Sequence, residues 1–208
     1  MEERKRPLIA GQQRAVDTQR RIVEAATRAF SEHGFESASV RRIAEAAGVR
    51  HQVIAYHFGS KMDLFLEVLE EGFNALRFLG GAFVFDDEFD PVEQFTEHLR
   101  TLFRFVVDHP QIIRIIHQEN LTGADRVAAF LPRLEEFRDF TREYAREVQR
   151  HGIAAHVPAE NLHMMFLAIV NQLVVSPVLV GISQEDRYAF LDSHAVAVTQ
   201  LFVGAAQQ

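Results

Sequence analysis

Between Arg41 and Lys61 the chain gathers side chains suited to holding a polyanion: Arg42, Arg50, His51, Gln52, Tyr56, His57 and Lys61. Gln52 can pair bidentately with an adenine edge, and Val53 or Ala55 can touch a thymine methyl. His51 can donate to a guanine or a phosphate. Arg50, Tyr56, His57 and Lys61 suit phosphate contacts, which set register without reading sequence. The charge distribution agrees. Up to Lys61 there are 11 Lys/Arg against 7 Asp/Glu, a net of +4, while the remainder nets −11 within an overall −7. A basic end on an acidic body fits a chain that meets a polyanion at one end only.

Other chemistries find less support. With no cysteine there is no thiol nucleophile, disulfide or thiolate metal site. The ten histidines include His109 and His117, eight apart across Pro110, and His151 and His156, five apart across Gly152. Neither is an i, i+4 pair on one helix and there is no HExxH, so no metal is expected. A His117/Glu119 hydrolase pair diverges by about 200° on a helix. No nucleophile elbow, phosphate loop or dinucleotide fingerprint is present. No catalytic residue and no cofactor is expected. No apolar run reaches the roughly 18 residues of a membrane span, so no membrane partner is expected either and a cytoplasmic location is.

The elements that must position these residues are all helical. Residues 1–16 read as a flexible basic arm. From Asp17, Ile22, Ala26, Ala29 and Phe30 follow one buried helix face, and Gly34 ends it. Ser39 caps a short helix with Val40, Ile43, Ala44 and Ala47 inward, and Gly48 stops it. A third helix runs to about Phe58 with Ile54 and Phe58 inward, which turns Gln52 and Tyr56 outward. Two short helices joined by a tight glycine turn read as a helix-turn-helix. Ser60 caps a fourth helix to about Leu79. Further helices are expected at about 91–108, 110–121, 125–151, 159–178 and 186–205. The fold class is all-α: a helix-turn-helix head at 17–62, then a larger helical domain at 63–208.

The segments "SVRRIAEAAGVRHQVIAYHFGSK" (39–61) and "IVEAATRAFSEHGFESASV" (22–40) resemble the DNA-binding region of the tetracycline-repressor (TetR) family. The resemblance is specific over about residues 20–66. It implies a homodimer, usually a repressor, whose carboxy-terminal helices hold a small-molecule pocket and whose effector releases double-stranded operator DNA. It also implies that Arg41 reaches a base edge. The third helix departs from the family pattern. Arg50 stands where a capping Ser is common, Gln52 and Val53 replace a small residue and Thr, and Ala55 stands where Tyr is frequent. No operator preference is therefore carried over.

In the body, the apolar stretch 162–182 needs partners on both faces. One face is expected on its own core. The other, with Phe166, Val170 and Val174, is expected against a twofold mate, joined by Phe190, Leu191, Val196, Val198, Leu201 and Phe202. Pro177 is expected to kink this helix. The 18 phenylalanines, without Trp and with three Tyr, offer an apolar pocket lining. Phe103, Phe137, Phe140 and Phe166, with Arg114, His117 and Asn171 as polar groups, are the candidate effector contacts. The acidic excess of the body favours a neutral or cationic effector. Two other readings are a DNA-binding regulator without effector and an all-α enzyme.

Overall fold

The computed structural model describes residues 10–81, 83–122, 124–130, 132, 135–176, 179 and 181–204. Among them are ten helices and no strand. The chain divides into two compact units, Met1–Glu71 and Gly72–Gln208.

The first unit holds α1 (Ala10–Ser37), α2 (Val40–Ala47), α3 (His51–Phe58) and the start of α4 (Lys61–Gly80). Helix α1 begins at Ala10, so the expected arm is helical from that residue on; residues 1–9 lie outside the described residues. The helix kinks at Gly34, where φ is 72° and ψ 169°, and resumes to Ser37. Ile22, Ala26 and Phe30 are fully buried, as the 3.6-residue period requires, with Val23 and Ala25 beside them. Phe30, Phe35 and Phe65 form a ring cluster with centroids 5.1–6.0 Å apart. The edge-to-face packing of Phe65 on the other two suits the ring quadrupoles.

Helix α2 turns Ile43, Ala44 and Ala47 inward. It ends at Gly48, which is left-handed at φ 67°. There the Gly48 and Val49 N–H groups donate back to the Glu45 and Ala44 carbonyls at 3.1 and 2.9 Å. A residue with a Cβ is disfavoured in this conformation, which is why the turn needs glycine. Helix α4 opens on a reciprocal cap. The Ser60 N–H donates to Asp63 at 3.0 Å, and the Asp63 N–H donates to Ser60 Oγ at 3.1 Å.

The second unit holds the rest of α4, then α5 (Pro91–Asp108), α6 (Gln111–Thr122), α7 (Ala124–Phe130), α8 (Glu135–Arg150), α9 (Ala159–Val175) and α10 (Gln184–Gly204). Asp90 caps α5 by accepting from the Val92 N–H at 3.1 Å, with Pro91 in the first turn. The expected helix over 125–151 is two helices, α7 and α8, with Pro132 between them. Proline lacks the N–H that a helix interior needs and clashes with the preceding turn. Helix α9 ends at Val175; Pro177 and Val178 lie outside the described residues.

The core of this unit joins Phe95, Leu99 and Phe103 of α5 to Leu162 and Leu173 of α9 and to Leu191, Ala195, Val198 and Phe202 of α10. Thr96 and Thr199 share a buried hydrogen bond of 3.0 Å, and Arg104 grips both oxygens of Asp192 at 2.8 and 2.6 Å. This overturns the expected outward placement of Leu191, Val198 and Phe202, which are 0%, 4% and 3% exposed within the single chain. Val170 and Val174 likewise face a second cluster with Val106 and Ile113, and Phe166 packs on the main core. The exposed large apolar side chains of α9 and α10 are Met164, Met165, Phe190 and Leu201.

Gly72 marks the close approach of α4 to α6. A Cβ there would lie 2.1 Å from Ile112 Cγ1, and a β-branched neighbour has little rotamer freedom to yield. Gly72→Ala is expected to destabilise the protein by about 1–3 kcal/mol despite its better helix propensity. Adding Ile112→Ala should recover part of that loss in a double-mutant cycle read by urea denaturation. Simple additivity would contradict the contact.

Candidate DNA-reading surface and ligand cavity

Helix α3 has eight residues, and Ile54 is its one buried side chain. That single anchor orients the rest. His51, Gln52, Ala55 and Tyr56 are exposed, Tyr56 to 85%, while Val53 and His57 are half-buried at the flanks. Arg50 occupies the cap position without a side-chain cap bond, so its guanidinium is not consumed by the helix start. Arg41 and Arg42 are exposed on the first turn of α2. One residue that the sequence did not single out is Arg21 of α1, whose guanidinium lies 3.6 Å from where a Gly48 side chain would sit. It brings a further positive charge to the turn between α2 and α3.

Lys61 has a second role. Its ammonium donates to the Glu36 carbonyl at 3.1 Å and lies 4.6 Å from the Phe35 ring centroid. It therefore closes the end of α1, and the phosphate role expected of it must share the same three donors.

The second unit contains a cavity of about 690 Å³ among α4, α5, α6, α8 and α9. Its wall is mostly aromatic and aliphatic: Phe73, Phe83, Leu99, Leu102, Ile113, Ile116, Phe137, Phe140, Tyr144 and Phe166 among others. Its size and lining match a site for a drug-sized apolar molecule. Four expected contacts line it, namely Phe137, Phe140, Phe166 and Asn171. Three do not. Phe103 is 1% exposed in the main core, Arg114 lines a separate cleft of about 260 Å³ with Arg187, and His117 lines neither space. Glu119, the partner of His117 in the hydrolase reading, is 3% exposed and bound to Arg126 at 2.6 Å. A carboxylate held this way is a structural ion pair.

The cavity's remaining polar groups come from residues that the sequence did not single out. His98 Nδ1 lies 3.1 Å from the Tyr144 hydroxyl, and its ring stacks on Phe83 with centroids 4.9 Å apart. Burial pushes the His98 pKa below its usual value and the Tyr144 pKa well above its own. Asn120, Arg138, Thr141, Arg142, Glu160 and His163 also line it. Phe137, Thr141 and Tyr144 at i, i+4 and i+7 were the available signal for this wall of α8. Among the described residues no group of three potential metal ligands occurs, and no helix is long and apolar enough to cross a membrane.

Comparison with known proteins agrees with this architecture. The family model "Bacterial regulatory proteins, tetR family" matches residues 22–68. The chain is 31% identical over 172 residues to the HTH-type transcriptional repressor SCO4008 of Streptomyces coelicolor, covering 79% of this chain and 84% of that one. It is 43% identical over 63 residues to the repressor AcnR of Corynebacterium efficiens, covering 30% of this chain and 34% of that one. Among solved structures, the fatty acid degradation regulator FadR from Bacillus halodurans superposes with a TM-score of 0.71 at 18% identity, covering 92% of this chain and 97% of that one. The regulator PfmR from Thermus thermophilus gives 0.66 at 21% identity, covering 88% and 97%.

Two expectations follow from the geometry. Tyr56→Phe should leave the urea midpoint unchanged, because the hydroxyl bears no fold contact, whereas Lys61→Met should lower stability by roughly 1 kcal/mol through the lost cap. Both His98 and His163 have lowered pKa values from burial. A histidine kept neutral by the fold takes up its proton more readily when unfolded, so stability is full above pH 6.5 and falls as the pH drops toward the lowered folded values. His98→Phe should flatten that slope between pH 7.5 and 5.5; an unchanged slope would place the sensitivity elsewhere.

With an amino-terminal helix-turn-helix, a helical body around an apolar cavity and a repressor relative aligned over most of both chains, the chain belongs to the TetR family of transcriptional regulators.

Proposed function

We propose that the chain is a repressor that binds operator DNA as a homodimer and releases it when a small molecule fills the cavity of the second unit. The cavity carries this reading: about 690 Å³ of mostly apolar space inside one unit, with polar groups at a few points of the wall. A space of that kind costs packing energy unless something occupies it. Support for the DNA role comes from the exposed set Arg41, Arg42, Arg50, His51, Gln52, Ala55 and Tyr56, flanked by Val53 and His57. Gln52, Val53, Ala55 and Arg41 would meet base edges, while Arg42, Arg50, Tyr56 and His57 would hold phosphates.

One eight-residue helix reads too few base pairs to select an operator, so two copies must act together, with half-sites about 34–36 Å apart or a multiple of that. Exposed apolar side chains of α9 and α10, Met165, Phe190 and Leu201, would supply the surface for the twofold contact. Release works as a population shift. The effector binds better to the arrangement in which the two reading helices no longer match successive grooves. Helix α4 supplies Phe73, Leu76 and Gly80 to the cavity and begins at the Ser60–Asp63 cap, so it is the element that connects the two events.

The test is fluorescence anisotropy of the protein with its own upstream intergenic DNA at two salt concentrations against a scrambled duplex. Salt-sensitive preference for the native duplex is expected, weakened by Tyr56→Ala without loss of stability. Leu201→Asp should yield monomers by light scattering and lose operator affinity. Equal weak binding to both duplexes would overturn the operator reading.

A further inference from the structure

The cavity wall is mostly apolar, with His98, Asn120 and Asn171 as scattered polar points, and its cationic side chains gather where α8 and the start of α9 meet. There Arg138 and Arg142, one turn apart on α8, line the space with His163 of α9. His163 is 7% exposed, and its Nδ1 has no hydrogen-bond partner. The two guanidiniums also help burial to hold its imidazole neutral, which places all three in one electrostatic neighbourhood. The opposing charges are few. Arg142 has a loose 3.5 Å contact with exposed Asp139, and Glu160 is the one acid among the lining residues.

A buried nitrogen without a partner costs free energy until something donates to it or accepts from it. A carboxylate does the latter while also matching the planar fork of an arginine. A cationic head would meet two like charges, and a neutral one would leave the guanidiniums without the anion their geometry fits. Asn171 lies two turns further along α9, about 12 Å at the helical rise, and its Oδ1 is likewise unpartnered. The space between these polar points is lined by Phe137, Phe166, Leu167 and Val170.

We propose that the effector is an amphipathic carboxylate, its acid group held by Arg138, Arg142 and His163 Nδ1 and its apolar body filling the aromatic remainder of the cavity. This rests on the cavity being the effector site. It replaces the expectation, drawn from the overall acidic excess, of a neutral or cationic effector.

Calorimetric titration of the full chain with decanoate, decanol and decyltrimethylammonium, below micelle-forming concentrations, separates the head groups on one apolar body. Decanoate should bind at least about tenfold more tightly than decanol, and the ammonium more weakly than either. Arg138→Gln with Arg142→Gln should bring decanoate down to the decanol level while leaving decanol binding in place. If the double variant fails to fold by circular dichroism, Arg138→Gln alone should remove part of the preference. Equal affinity of acid and alcohol, no binding of the acid, or a preference intact in the variants would overturn the carboxylate assignment. Operator anisotropy distinguishes the underlying reading: decanoate that binds without releasing DNA sinks ligand-controlled release alone. Release by non-acidic compounds only would sink the carboxylate alone.

Discussion

An eight-residue helix has too few internal hydrogen bonds to persist in water by itself, and both α2 and α3 are that short. The reading surface therefore exists only because Ile43, Ala44, Ala47 and Ile54 are held in a core built on Phe30 and Phe65. The left-handed Gly48 lets the chain reverse within two residues, and the small Ala44 and Ala47 let the helices approach. Every outward side chain of α3 takes its direction from this arrangement. The caps at Gly48 and Ser60 complete it, since they satisfy backbone groups that such short helices would otherwise leave open.

That first unit is legible in the sequence because its signals are local. Gly34, Gly48 and Ser60 punctuate the chain, and the apolar spacing around Ile22, Ile43 and Ile54 has a single period. The body is harder to read for the opposite reason. Helix α9 is apolar nearly all round, so periodicity does not say which side meets its own core. Phe166, Val170 and Val174 read as outward from the sequence and lie inward in the fold. The join of α7 and α8 is marked in the sequence by Pro132 alone, within a stretch whose helical pattern otherwise runs on. Cavity walls are assembled from five helices, and side chains that converge in space leave no common spacing. Arg138 and Arg142 look in sequence like the solvated face of an acidic-basic helix; only the fold reveals that they border a space.

The charge of the body shows how global and local electrostatics part company. The net −11 beyond Lys61 is distributed over mostly exposed carboxylates, of which Asp139, Glu143 and Glu147 pair with neighbouring arginines along α8. Exposed charges more than about 10 Å away are screened at ordinary salt. A ligand inside the cavity responds to the few groups that line it, and those are mainly basic. Arg104 with Asp192 and Arg126 with Glu119 show the complementary use of arginine, where both charges are consumed in tying helices together. Arginines that brace the scaffold and arginines that border the cavity are thus distinguished by their partners.

The outer face of α3 bears almost none of the fold's burden. Ile54 is its buried anchor, while Gln52, Ala55 and Tyr56 are exposed. If α3 reads DNA as proposed, changes at those positions would alter what is read without unsettling what holds the helix in place. Such a head is free to drift between targets over evolutionary time, and its sequence preference can be re-engineered by substituting a handful of side chains. The same separation explains why kinship in this region identifies the kind of protein but not its address in a genome.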